Sequence, residues 1–231
     1  MNVGKICAVV PVKNTRQAKQ RLAGMLADVW RQRLALAMVE DVLAALACTG
    51  ELAGILVVTD DSAAAALARR YGAHVLQEGA RDGHTGAVAA AARRLAAEGV
   101  AMLTLPGDIP LVHGEDIRQL IAAQRADAAR SPHTFTIVPA RDERGSNAVL
   151  CAPAAAVPLR FGDDSFFPHL AAARSCGIEP RIVHLPRIAL DIDTPDDLAL
   201  LLEWAPHTRA HAVLARWRAD LNEATAKKAT A

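Results

Sequence analysis

The sequence predicts an α/β protein in which one mostly parallel sheet is covered by helices on both faces, a three-layer Rossmann-like arrangement. Three observations lead there. Short apolar runs at 6–12 and 54–59 are continuous rather than alternating, as expected of strands buried on both faces. They alternate with Ala/Leu-rich segments whose apolar residues recur at helical spacing, the order of βαβ units. No repeat, low-complexity linker or break in composition divides the 231 residues, and with 52% hydrophobic content they can build one core.

The first strand is expected over 6–12, a β-branched run closed by Pro11 and Lys13. After a loop over 13–19, Leu34, Met38, Leu43 and Leu46 mark a helix over 28–46, and 54–59 is a second buried strand. Ser62 caps the next helix, which runs to Tyr71 and stops at Gly72, before a short strand at 74–77. An alanine-rich helix over 86–98, a strand over 100–105 and a helix over 114–123 follow. Strands at 135–139 and 149–152 flank the polar turn 142–147, which implies an antiparallel excursion. A helix over 166–176 and a strand at 182–185 lead to an apolar run at 189–193, read as a strand. Thr194-Pro195-Asp196-Asp197 then spells a helix start: N-cap, proline in the first turn, acids on the positive end. Val213, Leu214, Trp217 and Leu221 indicate a terminal amphipathic helix before a frayed Ala/Lys tail. The expected division is a main domain over 1–205 and a C-terminal helix and tail over 206–231.

Charge and composition exclude several classes. Lys and Arg number 26 against 25 Asp and Glu, so no global field calls for nucleic acid or an anionic membrane, and an anionic ligand must be held locally. With only 3% aromatic residues the chain lacks base-stacking platforms. Cys7, Cys48, Cys151 and Cys176 are too scattered for a zinc site or a disulfide framework and read as thiols of a reducing compartment. The apolar N-terminal stretch ends at Val12, too short for a signal sequence or a spanning helix, so a cytoplasmic protein is expected.

Five segments carry candidate chemistry. If 189–193 is a strand, Asp191 and Asp193 project from one face at its carboxyl end, and two neighbouring carboxylates suit a hard cation such as Mg²⁺ or Mn²⁺; the alternative is a solvated acid beside a helix cap. Lys13, Lys19 and Arg21 follow the first strand, where parallel sheets bind ligands, and would suit a polyphosphate unless they are ordinary surface cations. Asp108, stiffly bracketed in Pro106-Gly107-Asp108-Ile109-Pro110, is either a metal ligand or a turn former. Arg160 and Ser165 border a helix start able to hold phosphate or carboxylate, and Gly83 and Gly86 open another where a base or sugar could approach; plain capping and a plain glycine turn are the alternatives. Neither a Walker-type loop nor Gly-x-Gly-x-x-Gly follows a strand, and none of the eight histidines receives a role.

Along the chain stand, in order, Val10-Pro11-Val12-Lys13, Ala18-Lys19-Gln20-Arg21-Leu22, Val58-Thr59-Asp60, Pro106-Gly107-Asp108-Ile109-Pro110, Gly145-Ser146-Asn147-Ala148, Arg160-Phe161-Gly162-Asp163-Asp164-Ser165-Phe166 and Leu190-Asp191-Ile192-Asp193-Thr194-Pro195. In this order and spacing they resemble the 2-phospho-L-lactate guanylyltransferase family of coenzyme F(420) biosynthesis. The resemblance implies a GT-A-like nucleotidyltransferase fold. It also implies transfer of GMP from GTP to a phosphorylated C3 acid (2-phospho-L-lactate, phosphoenolpyruvate or 3-phospho-D-glycerate) with release of pyrophosphate. By the same resemblance Asp108, Asp191 and Asp193 hold one or two Mg²⁺ ions, and Lys13, Arg21 and Asp108 are catalytic. Ser146, Asn147, Arg160, Gly162 and Ser165 bind the acceptor, while Pro11, Lys13, Thr59, Gly83 and Gly86 bind the nucleotide. The partners are then GTP and the phospho-acid, with a homodimer left open. The acceptor phosphate is already ionised, so no general base is needed, in keeping with the unassigned histidines. Two positions depart from the family: Gly83-His84-Thr85-Gly86-Ala87-Val88 replaces an expected Asn-Ala pair, and Ser146 replaces a threonine. The competing readings are a cytidylyl- or molybdopterin-type transferase, a GT-A glycosyltransferase and a nucleotide-binding module without turnover.

Overall fold

The structure is a computed structural model describing residues 4–162 and 164–229, with 224–229 described as backbone alone; Asp163 and the residues beyond Ala229 lie outside it. Among the described residues seven strands form one sheet: β1 (Ile6–Pro11), β2 (Gly54–Val58), β3 (His74–Leu76), β4 (Ala101–Thr104), β5 (Thr134–Pro139), β6 (Ser146–Ala152) and β7 (Arg181–Ile182). Their order is β3-β2-β1-β4-β6-β5-β7. All run parallel except β6, which is antiparallel to both β4 and β5. The expected excursion is therefore the β5–β6 hairpin, and it turns the start of β6 toward the carboxyl ends of the other strands.

The helices are α1 (Asp28–Ala47), α2 (Ser62–Arg70), α3 (Gly83–Ala97), α4 (Gly114–Ala128), α5 (Phe166–Ser175), α6 (Pro186–Ala189), α7 (Pro195–Trp204) and α8 (Arg209–Ala229). Alternation along β1 assigns the layers. Ile6, Ala8 and Val10 pack against α1, α2 and α4, whereas Val9 faces Ala87, Val88 and Ala91 of α3. Phe135, Ile137 and Val149 of the hairpin are covered by Phe166 and Leu170 of α5 on the α3 side. A further cluster joins Leu34 and Met38 of α1 to Leu198 and Leu201 of α7 and to Leu214 of α8, so the terminal helix lies on α1. The helix there continues to Ala229 where a frayed tail was expected.

Several expectations are corrected. Asp61, not Ser62, caps α2, its carboxylate accepting from the amides of Ala63 and Ala64 at 2.8 and 3.0 Å. The chain enters α3 at Gly83, and α4 extends to Ala128 because its last turn is tied inward: Gln124 accepts from Thr136 at 2.8 Å, and Asp127 pairs with Arg181 of β7. The strand expected at 182–185 is only Arg181–Ile182. The run at 189–193 is not a strand. Pro186 starts the single-turn α6, Arg187 is held by Asp116 at 2.7 Å, and the chain then continues as an extended loop whose tie to the Asp108 segment is Ile192 N–H donating to Asp108 O at 3.0 Å. Extended geometry still alternates the side chains, with Ile192 buried between half-exposed Asp191 and Asp193. Among the described residues no helix is long and apolar enough to cross a membrane.

Candidate active site

The carboxyl edge of the sheet gathers the chemistry. β1 ends in Pro11, β4 runs into Pro106-Gly107-Asp108, and reversed β6 begins with Ser146 and Asn147 on the same edge. The loop after α6 carries Asp191 and Asp193 across it. These segments enclose a cleft of about 710 Å³ lined by Lys13, Arg21, Asp108, Ser146, Asp191 and Asp193, among others. A second lobe of about 420 Å³ opens beside Pro11, Lys13, Lys19 and Asp108. Volumes of this size suit a nucleotide and a small acid. Asp108 is fixed by Gly107, where a Cβ would come 2.9 Å from Val39 Cγ2, so the turn lies directly on α1.

Lys19 stands at the centre of the acids. Its ammonium donates to Asp108 Oδ2 and Asp193 Oδ1, both at 2.7 Å, and only 6% of its side chain is exposed. Its backbone is left-handed, with φ 54°, a conformation that is costly for a non-glycine residue and that the two ion pairs hold in place. Burial lowers the ammonium's pKa, but the two carboxylates more than offset that and hold it above the usual lysine value. Burial likewise raises the Asp108 carboxyl, and Lys19 overcomes this to set it below the ordinary carboxylate range. Arg21, largely exposed, lies 3.7 Å from the other oxygen of Asp193.

Asp191 behaves differently. Burial, then the charge of Asp108, push its carboxyl up; the amide of Asn147, donating to it at 3.2 Å, opposes this, and Asp193 adds to the rise. Asn147 Nδ2 also donates to the carbonyls of Ile188 and Ala189, which fixes the end of α6 against β6. Helix capping and site building coexist: Asp197 accepts from the amides of Asp193 and Thr194 and from Thr194 Oγ1, and its second oxygen meets Arg141 at 3.2 Å.

On the far wall, Ser146 and Ser165 are buried 3.3 Å apart, with Gly162 and Phe161 beside them. His84 lies under Phe161, ring centroids 4.4 Å apart; burial, aided by Lys13 and opposed by Asp108, lowers its pKa to about 4. Gly83 also lines the cleft.

Three expected residues stand apart from these walls. Thr59 is buried beneath the edge, its hydroxyl accepting from Asp61 N–H. Gly86 lies within α3, where a Cβ would sit 2.3 Å from Asp82 Cβ, so its bareness makes room for Asp82, which does line the cleft. Arg160 is exposed and contributes a backbone amide, to His169. Conversely, sequence reasoning gave no role to His84 or His169 and left Lys19 as one of three loop cations. No local pattern distinguishes a lysine that folds back onto acids 89 and 174 residues away.

The donor set suits a hard cation. Lys19 neutralises part of the Asp108 and Asp193 charge, while Asp191, raised first by burial and then by the charges of Asp108 and Asp193, has no cationic side chain among the causes of its shift. Among the described residues no three acid, histidine or cysteine side chains converge as a complete metal cage. Mg²⁺ seldom needs one, since it is normally held by one or two carboxylates together with substrate phosphates and water.

A family model described as "Guanylyl transferase CofC like" matches residues 6–229. The chain belongs to this family. It is 40% identical over 198 residues to a phosphoenolpyruvate guanylyltransferase of Rubrobacter xylanophilus, covering 85% of this chain and 93% of that protein. It is 33% identical over 215 residues to a 2-phospho-L-lactate guanylyltransferase of Methanothermobacter thermautotrophicus, covering 93% and 92%. A Desulfovibrio desulfuricans structure named for nucleotide-diphospho-sugar transfer superposes with TM-score 0.73 at 18% identity, over 96% of this chain and 98% of that one. A Methanothermobacter nucleotidyl transferase gives 0.60 at 17%, over 87% and 96%. Identities that low speak for the fold alone, which is the nucleotidyltransferase architecture expected from the CofC-like motifs. This member of the CofC family is thus a GTP-dependent nucleotidyltransferase.

Proposed function

We propose that this chain transfers GMP from GTP to phosphoenolpyruvate or a close phospho-acid in coenzyme F(420) biosynthesis. The observation that carries the reading is one cleft holding three carboxylates on one wall and buried hydroxyls on the other. The names of the relatives favour phosphoenolpyruvate over 2-phospho-L-lactate and 3-phospho-D-glycerate as acceptor.

A phosphate oxygen of the acceptor attacks the α-phosphorus of GTP; a new P–O bond forms, the bond to the β-phosphate bridging oxygen breaks, and pyrophosphate leaves. Such a step asks for alignment and charge neutralisation more than for proton transfer. Lys13 and Arg21, exposed at the mouth, neutralise the triphosphate. Ser146, Ser165 and the Gly162 backbone orient the acceptor, and Asn147 holds Asp191 toward it. Mg²⁺, held by Asp108, Asp191 and Asp193, would supply Lewis-acid neutralisation of the phosphates. Neutral His84 under Phe161 adds an uncharged wall on the Gly83 side. The test is mass spectrometry of the product formed from GTP, Mg²⁺ and a mixture of the three acids. One guanylylated acid with stoichiometric pyrophosphate is expected; no such product, or a cytidylyl product when CTP is added, overturns the reading.

A further inference from the structure

His169 of α5 is 1% exposed and lies behind the acceptor wall. Its two ring nitrogens meet different partners. The backbone N–H of Arg160 points at Nε2 from 3.0 Å, while Nδ1 lies 3.0 Å from Ser146 Oγ. A backbone amide can only donate, so Nε2 is an acceptor and carries no proton. Burial, then the nearby His84, lowers the ring's pKa to about 4, so at neutral pH it is uncharged and its one proton sits on Nδ1. Nδ1–H therefore donates to Ser146 Oγ.

That donation fixes the polarity of the hydroxyls in front of it. Ser146 and Ser165 have two O–H protons, and their own 3.3 Å contact uses one, in whichever direction it runs. The histidine needs none, because it is itself the donor. One O–H remains for the cleft that both serines line. We propose that His169 is a positioning residue which, locked as the Nδ1–H tautomer, makes the Ser146–Ser165 pair a hydrogen-bond donor toward an anionic oxygen of the phosphorylated acid. Were the ring the other tautomer, it would take a hydroxyl proton for itself and turn lone pairs toward the anion. Phe161 packs against the imidazole in an edge-type contact at 5.0 Å, and the Arg160 amide donates to its far side, so the device depends on the loop before α5.

The role in catalysis rests on the acceptor reading above, whereas the tautomer does not. The first measurement is therefore ¹⁵N–¹H correlation of the imidazole in the wild-type protein at neutral pH without substrate. A protonated Nδ1 with a bare Nε2 is expected; an Nε2–H tautomer or an imidazolium overturns the proposal. The second compares His169→Phe, which keeps the ring's bulk, with His169→Asn, whose amide nitrogen reaches the Nδ1 position. With one donor to a charged group at stake, His169→Phe raises KM for the phospho-acid about ten- to a hundredfold while KM for GTP changes less than about twofold. His169→Asn recovers most of that loss. Equal rises in both KM values, or an Asn variant no better than Phe, mean the ring merely fills space and sink the proposal. Failure of the wild type to turn over any of the three acids would instead refute the parent reading and leave the tautomer result standing.

Discussion

Replacing Lys19 by methionine removes the ammonium and keeps most of the apolar stem. Two charge-assisted hydrogen bonds at 2.7 Å are lost, and bonds of this kind contribute about 1.5–3 kcal/mol each. The gross loss is not the net one. Asp108 and Asp193 are 31% and 37% exposed, so water re-solvates them once the ammonium is gone, and the cost of burying Lys19 at 6% exposure disappears with it. Arg21 still faces Asp193 at 3.7 Å. A net destabilisation of about 2 kcal/mol is expected, or roughly 4–8 °C in Tm for a chain of this size. Thermal unfolding with and without millimolar Mg²⁺ checks it. The bared acids bind the cation more tightly than in the wild type, so Mg²⁺ raises the variant's Tm by more than it raises the parent's. A variant melting within about 1 °C of the wild type, or equal responses to Mg²⁺, refutes the reasoning. The pH signs follow from the same pairs. Lys19, with its folded pKa raised, contributes below 10.5 and loses its contribution as pH climbs through the folded value. Asp108, with its folded pKa lowered, contributes above 3.8 and loses its contribution as pH falls through the folded value.

Other outcomes are expected from neighbouring sites. Asp191→Asn relieves a carboxylate whose raised folded pKa makes its charge costly at neutral pH, a cost that in the wild type fades as pH falls through that value. The variant should gain about 1 kcal/mol in denaturant unfolding while losing about 10²-fold or more in pyrophosphate release; a destabilised or fully active variant contradicts this. Asp61→Ala removes both the cap of α2 and the tie to Thr15, whose amide and hydroxyl it accepts at 2.8 and 2.7 Å. It should cost about 1–3 kcal/mol and raise KM for GTP by loosening the Lys13 loop, with the loss of stability disappearing at low pH because the wild-type carboxylate, depressed in the fold, is then protonated too. Gly107→Ala drives a methyl to within 2.9 Å of Val39 and displaces Asp108, costing about 1–3 kcal/mol; in a double-mutant cycle Val39→Ala should return part of both stability and turnover.

Much was legible in order along the chain. Continuous β-branched runs gave the parallel strands because burial on both faces leaves no room for polar residues, and Thr194-Pro195-Asp196-Asp197 gave the start of α7 because the capping chemistry is local. Less legible was the run at 189–193: apolar alternation looks the same in a paired strand and in an extended loop, and only the neighbour decides. Here the main chain of Ile192 reaches Asp108 rather than a strand. Thr59 and Gly86 sit within the motifs, yet their contacts are to Asp61 and Asp82, a distinction that spacing does not carry.

By itself the sequence determined the layers, the reversed hairpin and the set of motifs that places the chain in its family, since each depends on patterns within a few residues of one another. Only the tertiary structure decided which charges meet. Lys19 and its acids, or His169 and Ser146, are joined through a sheet that brings distant strand ends to one edge, and neither a contact across 174 residues nor the tautomer of a buried ring leaves a trace in local order. The physical reason is that hydrophobic periodicity is written in the chain one turn at a time, whereas electrostatic partnership depends on distance in space.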